Sequence, residues 1–311
     1  MFLQKIKSRE SGILVYGITP PKKITPSDKV VESAKRTIER VKSLPIDALI
    51  VYDVQDESTR TKEERPFPFQ ASIDPLAFVN EHLNELVVEK IIYRPAGIYS
   101  EAELSEWFKN LQEQKAHPVL VGIPSPDYVP QSTLTKAYEL WWKYKETSVV
   151  GAISIPERHI VLGDEDQRML DKIKSGVSYF VTQCVFNEDY SMQMLEALAE
   201  SCKKNDQQAP TVIFTLSTCG STKILGFLEW LGIHIKEEHK ARLLNSANIL
   251  EDSIDLCFEI ADILSNYCIE KNIPFGFNIE SVAIKKEEIE ASITLLKELE
   301  QMLKSKMVSA E

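Results

Sequence analysis

A short apolar run followed by a longer amphipathic segment, repeated eight times, is the feature that most restricts the fold of this chain. The apolar runs are rich in β-branched residues, and the segments behind them repeat apolar residues every three or four positions. Such units build a parallel sheet whose connections are helices. The predicted strands are residues 13–19, 48–53, 90–94, 118–123, 149–155, 179–186, 211–216 and 274–279.

Eight strand-helix units are the number that closes a barrel whose outside is covered by a ring of helices. The alternative is an open, doubly wound sheet, which would leave two edges exposed. Residues 19–23, behind the first strand, hold two prolines and two lysines instead of a glycine-rich dinucleotide loop. We therefore predict an α/β fold: a (β/α)8 TIM barrel forming a single domain over residues 1–311, with an extra helix between strands seven and eight.

The composition limits the partners of the chain. Its 47 acidic and 36 basic residues give a formal net charge of -11, which offers no basic surface to nucleic acid or to an anionic membrane. No segment approaches the roughly 18 apolar residues of a membrane span, and no signal-like apolar run follows the N-terminus. The 5 cysteines lie far apart, which is typical of reduced thiols. We expect a cytoplasmic protein with a small-molecule substrate.

In a barrel of this kind the reactive groups lie at the carboxyl ends of the strands and in the loops that follow them. The polar loop 56–68, behind the second strand, is of the kind that covers an active face. Thr19, Arg94 and Asn278 are predicted to bind substrate. The other candidates at strand ends are Asp53, Gln55, Asp56, Glu57, Ser125, Asp127, Glu157, Arg158, His159, Gln183, Ser217, Thr218 and Glu280.

Gln183 interrupts an apolar strand near its end with a primary amide, which donates and accepts hydrogen bonds at once. Such an amide suits a ligand with a mixed donor and acceptor edge, such as a pterin or a flavin ring. The alternative is a glutamine that bonds to the backbone of a neighbouring strand.

His159 and Arg94 each allow two interpretations. His159 could bind a phosphate or a ring edge or transfer a proton, or it could be an exposed loop histidine without a role. Arg94 could bind a carboxylate or phosphate of a ligand, or form an ion pair with Asp53 or Glu57. No metal site is predicted, because the remaining histidines fall on helices or at strand beginnings.

Three segments resemble the methylenetetrahydrofolate reductases, which are flavin-dependent barrels. Residues 172–187, Lys-Ile-Lys-Ser-Gly-Val-Ser-Tyr-Phe-Val-Thr-Gln-Cys-Val-Phe-Asn, are similar to the family pattern Lys-x-x-x-Gly-Ala-x-x-x-Ile-Thr-Gln-x-x-Phe-Asp. Residues 156–159 resemble its Tyr-Pro-Glu-x-His segment, and Pro20 and Pro21 fall where its Phe-Glu-Phe-x-Pro-Pro strand ends. The order of elements agrees over nearly the whole chain.

The resemblance implies a reaction and its site residues. Hydride would pass from NAD(P)H to FAD and then to methylenetetrahydrofolate, giving methyltetrahydrofolate. Gln183 would contact the pterin, and His159 and Lys172 would belong to the flavin site. Asp164 or Glu165 would lie near the ribityl or phosphate region of the FAD.

The chain departs from the family pattern at three places. Gly17 stands where the family has the glutamate that acts as general acid, residues 121–123 replace an Arg-Gly-Asp, and residues 278–280 replace a Leu-Asn-Arg. Because strand eight of a closed barrel lies beside strand one, Glu280 could act as the acid in place of the missing glutamate. We therefore predict Glu280 and Gln183 as catalytic residues.

The departures leave a second function open. In this alternative the barrel binds folate or a one-carbon substrate without FAD, as a homo-oligomer or with a partner subunit. A third interpretation keeps the fold and assigns it a different substrate, because a fold does not fix the chemistry.

Overall fold

The computed structural model describes residues 1–56, 61–123 and 128–309 and forms a closed barrel of eight parallel strands, ordered β1-β2-β3-β4-β5-β6-β7-β8. The predicted (β/α)8 fold is confirmed. Glu57, Ser125 and Asp127 lie outside the described residues. The strands are β1 Ile13–Ile18, β2 Ala48–Val51, β3 Glu89–Pro95, β4 Ala116–Val121, β5 Val150–Ser154, β6 Val177–Cys184, β7 Thr211–Thr218 and β8 Phe275–Ser281.

Amphipathic helices cover the outside of the sheet. In α11, for example, Cys257, Ile260, Leu264 and Cys268 recur at helical spacing and all four are buried against the barrel, as their period predicts. The described helices are α1 Phe2–Ser8, α2 Ser27–Lys42, α3 Pro75–His82, α4 Glu101–Glu113, α5 Leu134–Trp141, α6 Pro156–Leu162, α7 Glu165–Lys174, α8 Glu188–Lys204, α9 Thr222–Trp230, α10 Glu237–Leu244, α11 Ile249–Lys271 and α12 Lys286–Ser309.

The connection from β7 to β8 holds three described helices. The last of them, α11, belongs to the outer ring, since the Cys257 thiol lies 3.5 Å from the Ser217 carbonyl oxygen of β7. The sequence predicts one extra helix here, and the structure has two, α9 and α10. The end of α9 lies over the carboxyl end of β6, where the Gln183 amide donates to the Leu231 carbonyl at 2.8 Å.

The N-terminal helix α1 closes the bottom of the barrel. Phe2 is fully buried and meets the edge of the Tyr179 ring, with the ring centroids 5.2 Å apart. The helix is held from outside by the Glu89 carboxylate, which accepts from the Leu3 amide at 2.7 Å, and by an ion pair between Lys5 and Asp47 at 2.8 Å. Access to the interior is therefore left to the carboxyl ends of the strands.

Two apolar layers hold the fold together. Alternate strand residues such as Val15, Ile50, Val181 and Ile213 fill the barrel interior together with Phe2. The other set points outward and packs against the helices. All five cysteines are buried free thiols, and every described helix is too short or too polar to span a bilayer.

Candidate functional site at the barrel mouth

The register of the sheet brings Glu280 beside Gly17. The two residues are partners across the β8–β1 pairing, and Ser217 of β7 is the partner of Glu280 on its other side. A Cβ atom built on Gly17 would lie 3.2 Å from the Glu280 Cβ. The carboxylate of β8 thus stands next to the space left by the absent side chain on β1, as predicted for neighbouring strands of a closed barrel.

The opening of the barrel at the carboxyl ends of its strands is called the mouth below. Glu280 lies within a set of hydrogen bonds at the floor of this mouth. The Cys184 thiol donates to the Glu280 Oε1 at 3.2 Å, and Tyr52 and Asn278 also bond to this carboxylate. Burial raises the pKa of Glu280, although these three hydrogen bonds act in the opposite direction. The residue is partly exposed, so a ligand in the mouth can reach it. A carboxyl in this setting can hold a proton at a higher pH than a surface glutamate.

Asn278 links strands β2, β7 and β8. Its Nδ2 donates to the Tyr52 hydroxyl at 2.7 Å and to the Thr215 hydroxyl at 3.2 Å. Its Oδ1 is buried and has no hydrogen-bond partner in the described part of the chain. Because buried amide oxygens are normally satisfied, this oxygen is an acceptor that a ligand could use. Asn278 was predicted to bind substrate, and contact with a ligand stays a prediction.

Gln183 bonds to a backbone carbonyl at the end of α9, and not to a neighbouring strand as in the alternative interpretation of its sequence. Its Nε2 donates to the Leu231 carbonyl and holds the end of α9 over the mouth. The side chain is only partly buried, so its amide remains at the surface of the cavity. The structure therefore gives Gln183 a positioning role and leaves contact with a ligand as a prediction.

Cys184 and Tyr52 belong to the site although the sequence did not single them out. The pairing of β6 with β7 shifts register between Val181 and Cys184, and this irregularity turns the thiol towards Glu280. Burial and the neighbouring carboxylate raise the pKa of the Cys184 thiol well above its ordinary value. Burial, with a contribution from Glu280, likewise raises the pKa of Tyr52. Both groups are therefore neutral hydrogen-bond donors.

Arg94 lies outside this cavity. Its guanidinium bonds to the Asp74 carboxylate at 2.8 Å and to the Tyr99 hydroxyl at 2.7 Å, and it lies 3.6 Å from Asp53. The ion pair with Asp53 is one of the alternatives that the sequence left open. Thr19 follows the end of β1 and is exposed. Neither residue joins the set around Glu280, because one faces the outer layer of the barrel and the other lies beyond the strand.

Two of the four residues predicted to bind flavin are engaged within the fold. Glu165 is fully buried and accepts from the Ile155 amide at 3.0 Å and from the Arg158 guanidinium at 2.9 Å. Lys172 donates to the Ile153 carbonyl at 2.9 Å. Burial is the main cause that lowers the pKa of Lys172, to about 8, and Glu165 opposes the shift. Both side chains anchor α7 to the end of β5.

The other two predicted flavin residues pair with groups on α7. The Asp164 carboxylate accepts from Arg168 at 3.0 Å, and the His159 Nδ1 lies 3.6 Å from the Asp166 carboxylate. The His159 Nδ1 and the Asp164 Oδ1 are nevertheless buried and have no hydrogen-bond partner among the described residues. Of the four residues, Glu165 and Lys172 hydrogen-bond to the fold, and the flavin site that the resemblance implies stays a prediction.

The described residues contain one cluster of possible metal ligands, Glu188, Glu238 and His239. The ammonium group of Lys236 already lies 2.7 Å from Glu188 and 3.2 Å from Glu238. This cation neutralises the acidic groups, so the cluster is an ion-pair network that ties α8 to α10.

The loop behind β2 crosses the mouth. The indole of Trp230, at the end of α9, donates to the Glu63 carbonyl at 3.1 Å, and the ring of Phe67 meets the edge of Phe227 with centroids 5.3 Å apart. Because β1 and β8 lie between β2 and β7 in the barrel, this contact carries the loop over their ends. Residues 61–68, the described part of the loop behind residue 60, therefore lie over the carboxyl ends of the strands.

No family model and no curated protein matches the sequence. A solved structure of an uncharacterized protein from Clostridium thermocellum, described as binding two copies of 5-methyl-5,6,7,8-tetrahydrofolic acid, is similar to this chain with a TM-score of 0.84 and 38% identity. The match covers 97% of this chain and 100% of that chain. This chain belongs to the family of the Clostridium thermocellum protein. The family shares the whole barrel, because the match runs over nearly all of both chains.

Two further solved structures are similar at a lower level. The first is 2,3-dimethylmalate lyase, of the PEP mutase/isocitrate lyase superfamily, with 10% identity and a TM-score of 0.46 over 98% of this chain and 96% of that chain. The second is oxaloacetate acetylhydrolase in complex with 3,3-difluorooxalacetate, with 12% identity and a TM-score of 0.42 over 87% of this chain and 95% of that chain. Both are too distant to inform the function of the family. The resemblance to methylenetetrahydrofolate reductases stays a prediction.

Proposed function

We propose that the chain binds a reduced folate of the 5-methyltetrahydrofolate type in the barrel mouth and acts in one-carbon metabolism. The observation that carries this proposal is the 38% identity, over nearly the full length of both chains, with a protein described as binding that compound. The motif around Gln183, which resembles a folate enzyme, points to the same ligand class independently.

The polar groups at the floor of the mouth suit a pterin. The ring of a folate presents donors and acceptors alternately along one edge. The Glu280 carboxyl, the Asn278 Oδ1 and the Gln183 amide offer acceptors and a donor of matching kind. Tyr52 and Tyr93 contact each other at a centroid distance of 4.8 Å below this level and supply an aromatic floor. A few directed polar groups above an apolar floor are typical of small-molecule sites.

We favour binding without FAD over the reductase activity that the resemblance implies. Two of the residues predicted to hold the flavin, Glu165 and Lys172, bond to the backbone at the end of β5. Glu280 retains the property required of an acid, because burial raises its pKa. A partner subunit or a second copy of the chain would then supply any further chemistry.

Colour and folate binding together test the proposal. The purified protein is expected to be colourless and to bind 5-methyltetrahydrofolate saturably in equilibrium dialysis. A yellow protein that releases flavin on denaturation and oxidises NAD(P)H with methylenetetrahydrofolate would establish the reductase instead. A colourless protein that binds no reduced folate would refute the proposal.

A further inference from the structure

Three basic side chains come together where the loop behind β2 meets the loop behind β1. Lys22 forms an isolated backbone bridge with Ser72, and the Lys23 amide donates to the Ala71 carbonyl at 2.9 Å. Arg65 lies close enough to Lys22 to lower its pKa, an effect second to that of burial. Two backbone contacts thus hold the loop that carries Lys22 against the loop that carries Arg65, at one rim of the mouth.

Arg65 lies over an aromatic surface. Its guanidinium carbon lies 5.2 Å from the ring centroid of Phe227, 5.4 Å from that of Trp230 and 5.6 Å from that of Phe69. One Nη donates to the Phe67 carbonyl at 2.8 Å. The Nε is buried and has no hydrogen-bond partner among the described residues. The aromatic contacts fix the direction of the guanidinium, and a donor remains unused.

The third cation stands at the beginning of α9. The Lys223 ammonium lies 4.5 Å from the ring centroid of Phe67, and that ring contacts Phe227 below Arg65. Lys223 is the second residue of the helix, which the Ser221 hydroxyl caps by accepting from the Ile224 amide at 3.3 Å. The positive end of the helix dipole therefore adds to the charge of Lys223.

No carboxylate in the described part of the chain forms an ion pair with Lys22, Arg65 or Lys223, in a protein whose net charge is -11. The acidic residues nearest along the loop, Glu63 and Glu64, have exposed side chains. Bringing like charges together raises the free energy of the folded state unless an anion joins them. This rim, which we call the basic rim, is accordingly suited to a ligand with several negative charges.

We propose that the basic rim of Lys22, Arg65 and Lys223 binds the carboxylates of the glutamate tail of the folate, including further γ-linked glutamates. The proposal rests on the proposed function. A reduced folate carries its pterin at one end and its glutamate carboxylates at the other. With the pterin at Glu280 under the loop behind β2, the tail leaves the mouth along that loop. Arginine and lysine on an aromatic support are suited to carboxylates.

Folates of two tail lengths test this assignment. We would titrate the wild-type chain with 5-methyltetrahydrofolate carrying one glutamate and with the form carrying three. The wild type is expected to bind the triglutamate about tenfold more tightly, a preference that weakens with added salt. The double variant Lys22→Gln/Lys223→Gln is expected to lose that preference, whereas its affinity for the monoglutamate, which brings fewer carboxylates to the rim, is expected to fall by less, at most about threefold.

A matched control removes two lysine charges from positions away from the basic rim. Lys35 and Lys109 are exposed on the outer helices α2 and α4, so Lys35→Gln/Lys109→Gln is expected to keep the tenfold preference. The assignment of the glutamate tail to the basic rim is wrong if the wild type binds both folates with equal affinity, or if the preference survives in Lys22→Gln/Lys223→Gln. Either result leaves the proposal of folate binding unaffected. Equal loss in both double variants also overturns the assignment. Failure to bind either folate refutes the proposed function itself.

Discussion

Glu280 stands directly across the β8–β1 pairing from Gly17, and its Cβ would lie only 3.2 Å from a Cβ at position 17. The floor of the mouth is shaped by this pair, since the carboxylate on one strand uses space that the glycine on the next leaves free. A glutamate at position 17, as in the family that the sequence resembles, would meet Tyr52, Asn278 and Glu280 together.

Gly17→Ala is therefore expected to destabilise the protein. The new Cβ would lie 2.8 Å from a ring carbon of Tyr52 and 3.2 Å from the Asn278 Oδ1. Overpacking of this kind lowers the free energy of unfolding by about 1–3 kcal/mol. Urea denaturation followed by circular dichroism measures the change.

Gly226→Ala is the matched control, because a Cβ at that position in α9 meets nothing within 4 Å. Alanine favours a helix over glycine, so this variant is expected to gain about 0.5–1 kcal/mol. Equal effects of the two substitutions would show that the space beside Glu280 is not restricted.

The ionisation of Glu280 is expected to make stability depend on pH. Burial raises the pKa of this carboxyl in the folded state, so the folded protein holds the proton more tightly than the unfolded chain. Below about pH 4 the group is protonated in both states and costs nothing. As the pH rises through the folded pKa, the wild type loses stability relative to Glu280→Gln and the difference then levels off.

Urea denaturation of both proteins across the acid and neutral range measures this difference. Glu106→Gln, at an exposed position of α4, is the control and should follow the wild type at a constant offset. If the difference between wild type and Glu280→Gln does not change with pH, the carboxyl is not perturbed by burial.

The ion pair between Arg158 and Glu165 is expected to be structural. Removing the arginine in Arg158→Met would leave a fully buried carboxylate with only one backbone donor. Lys172 lies near enough to Glu165 to interact with it electrostatically and compensates part of this charge, so we expect the free energy of unfolding to fall by about 3 kcal/mol. Thermal and urea denaturation are the measurements.

Arg168→Met provides the comparison within the same region, because Arg168 pairs with Asp164 at the surface. Loss of an exposed pair is expected to cost at most about 1 kcal/mol. Two equally mild variants would mean that Glu165 does not depend on Arg158 and is free for another role, including the predicted flavin contact.

Closure of the barrel bottom by α1 is expected to contribute strongly to stability. Phe2→Ala removes a fully buried ring that contacts Tyr179 and His117, which costs about 3–5 kcal/mol. Val87→Ala, at a side chain that is 99% exposed, is expected to change stability by less than about 0.5 kcal/mol. A similar small effect of Phe2→Ala, measured by urea denaturation, would show that α1 is not part of the folded core.

The topology could be predicted from the sequence because each strand and helix carries its own periodic pattern. The neighbour relation of Gly17 and Glu280 followed from closure alone, since strand eight of a barrel must lie beside strand one. The burial of Cys257 and Leu264 followed from the helical period of α11.

The sequence could not show how individual strand ends are turned. A register shift in β6 directs Cys184 to Glu280, and no residue type announces such a shift. Arg94 and Gln183 are polar residues at strand ends, but their partners Asp74 and Leu231 belong to segments whose position only the folded chain determines. The aromatic surface under Arg65 likewise depends on a loop contact between distant parts of the chain.

The most direct test of folate binding at the barrel mouth is a calorimetric titration with 5-methyltetrahydrofolate of the wild type, Glu280→Gln and Glu106→Gln. We expect saturable binding by the wild type and the Glu106 variant, and affinity about tenfold lower for Glu280→Gln, because a charge-assisted hydrogen bond is weakened. No binding by the wild type, or the same affinity in all three proteins, would contradict the account.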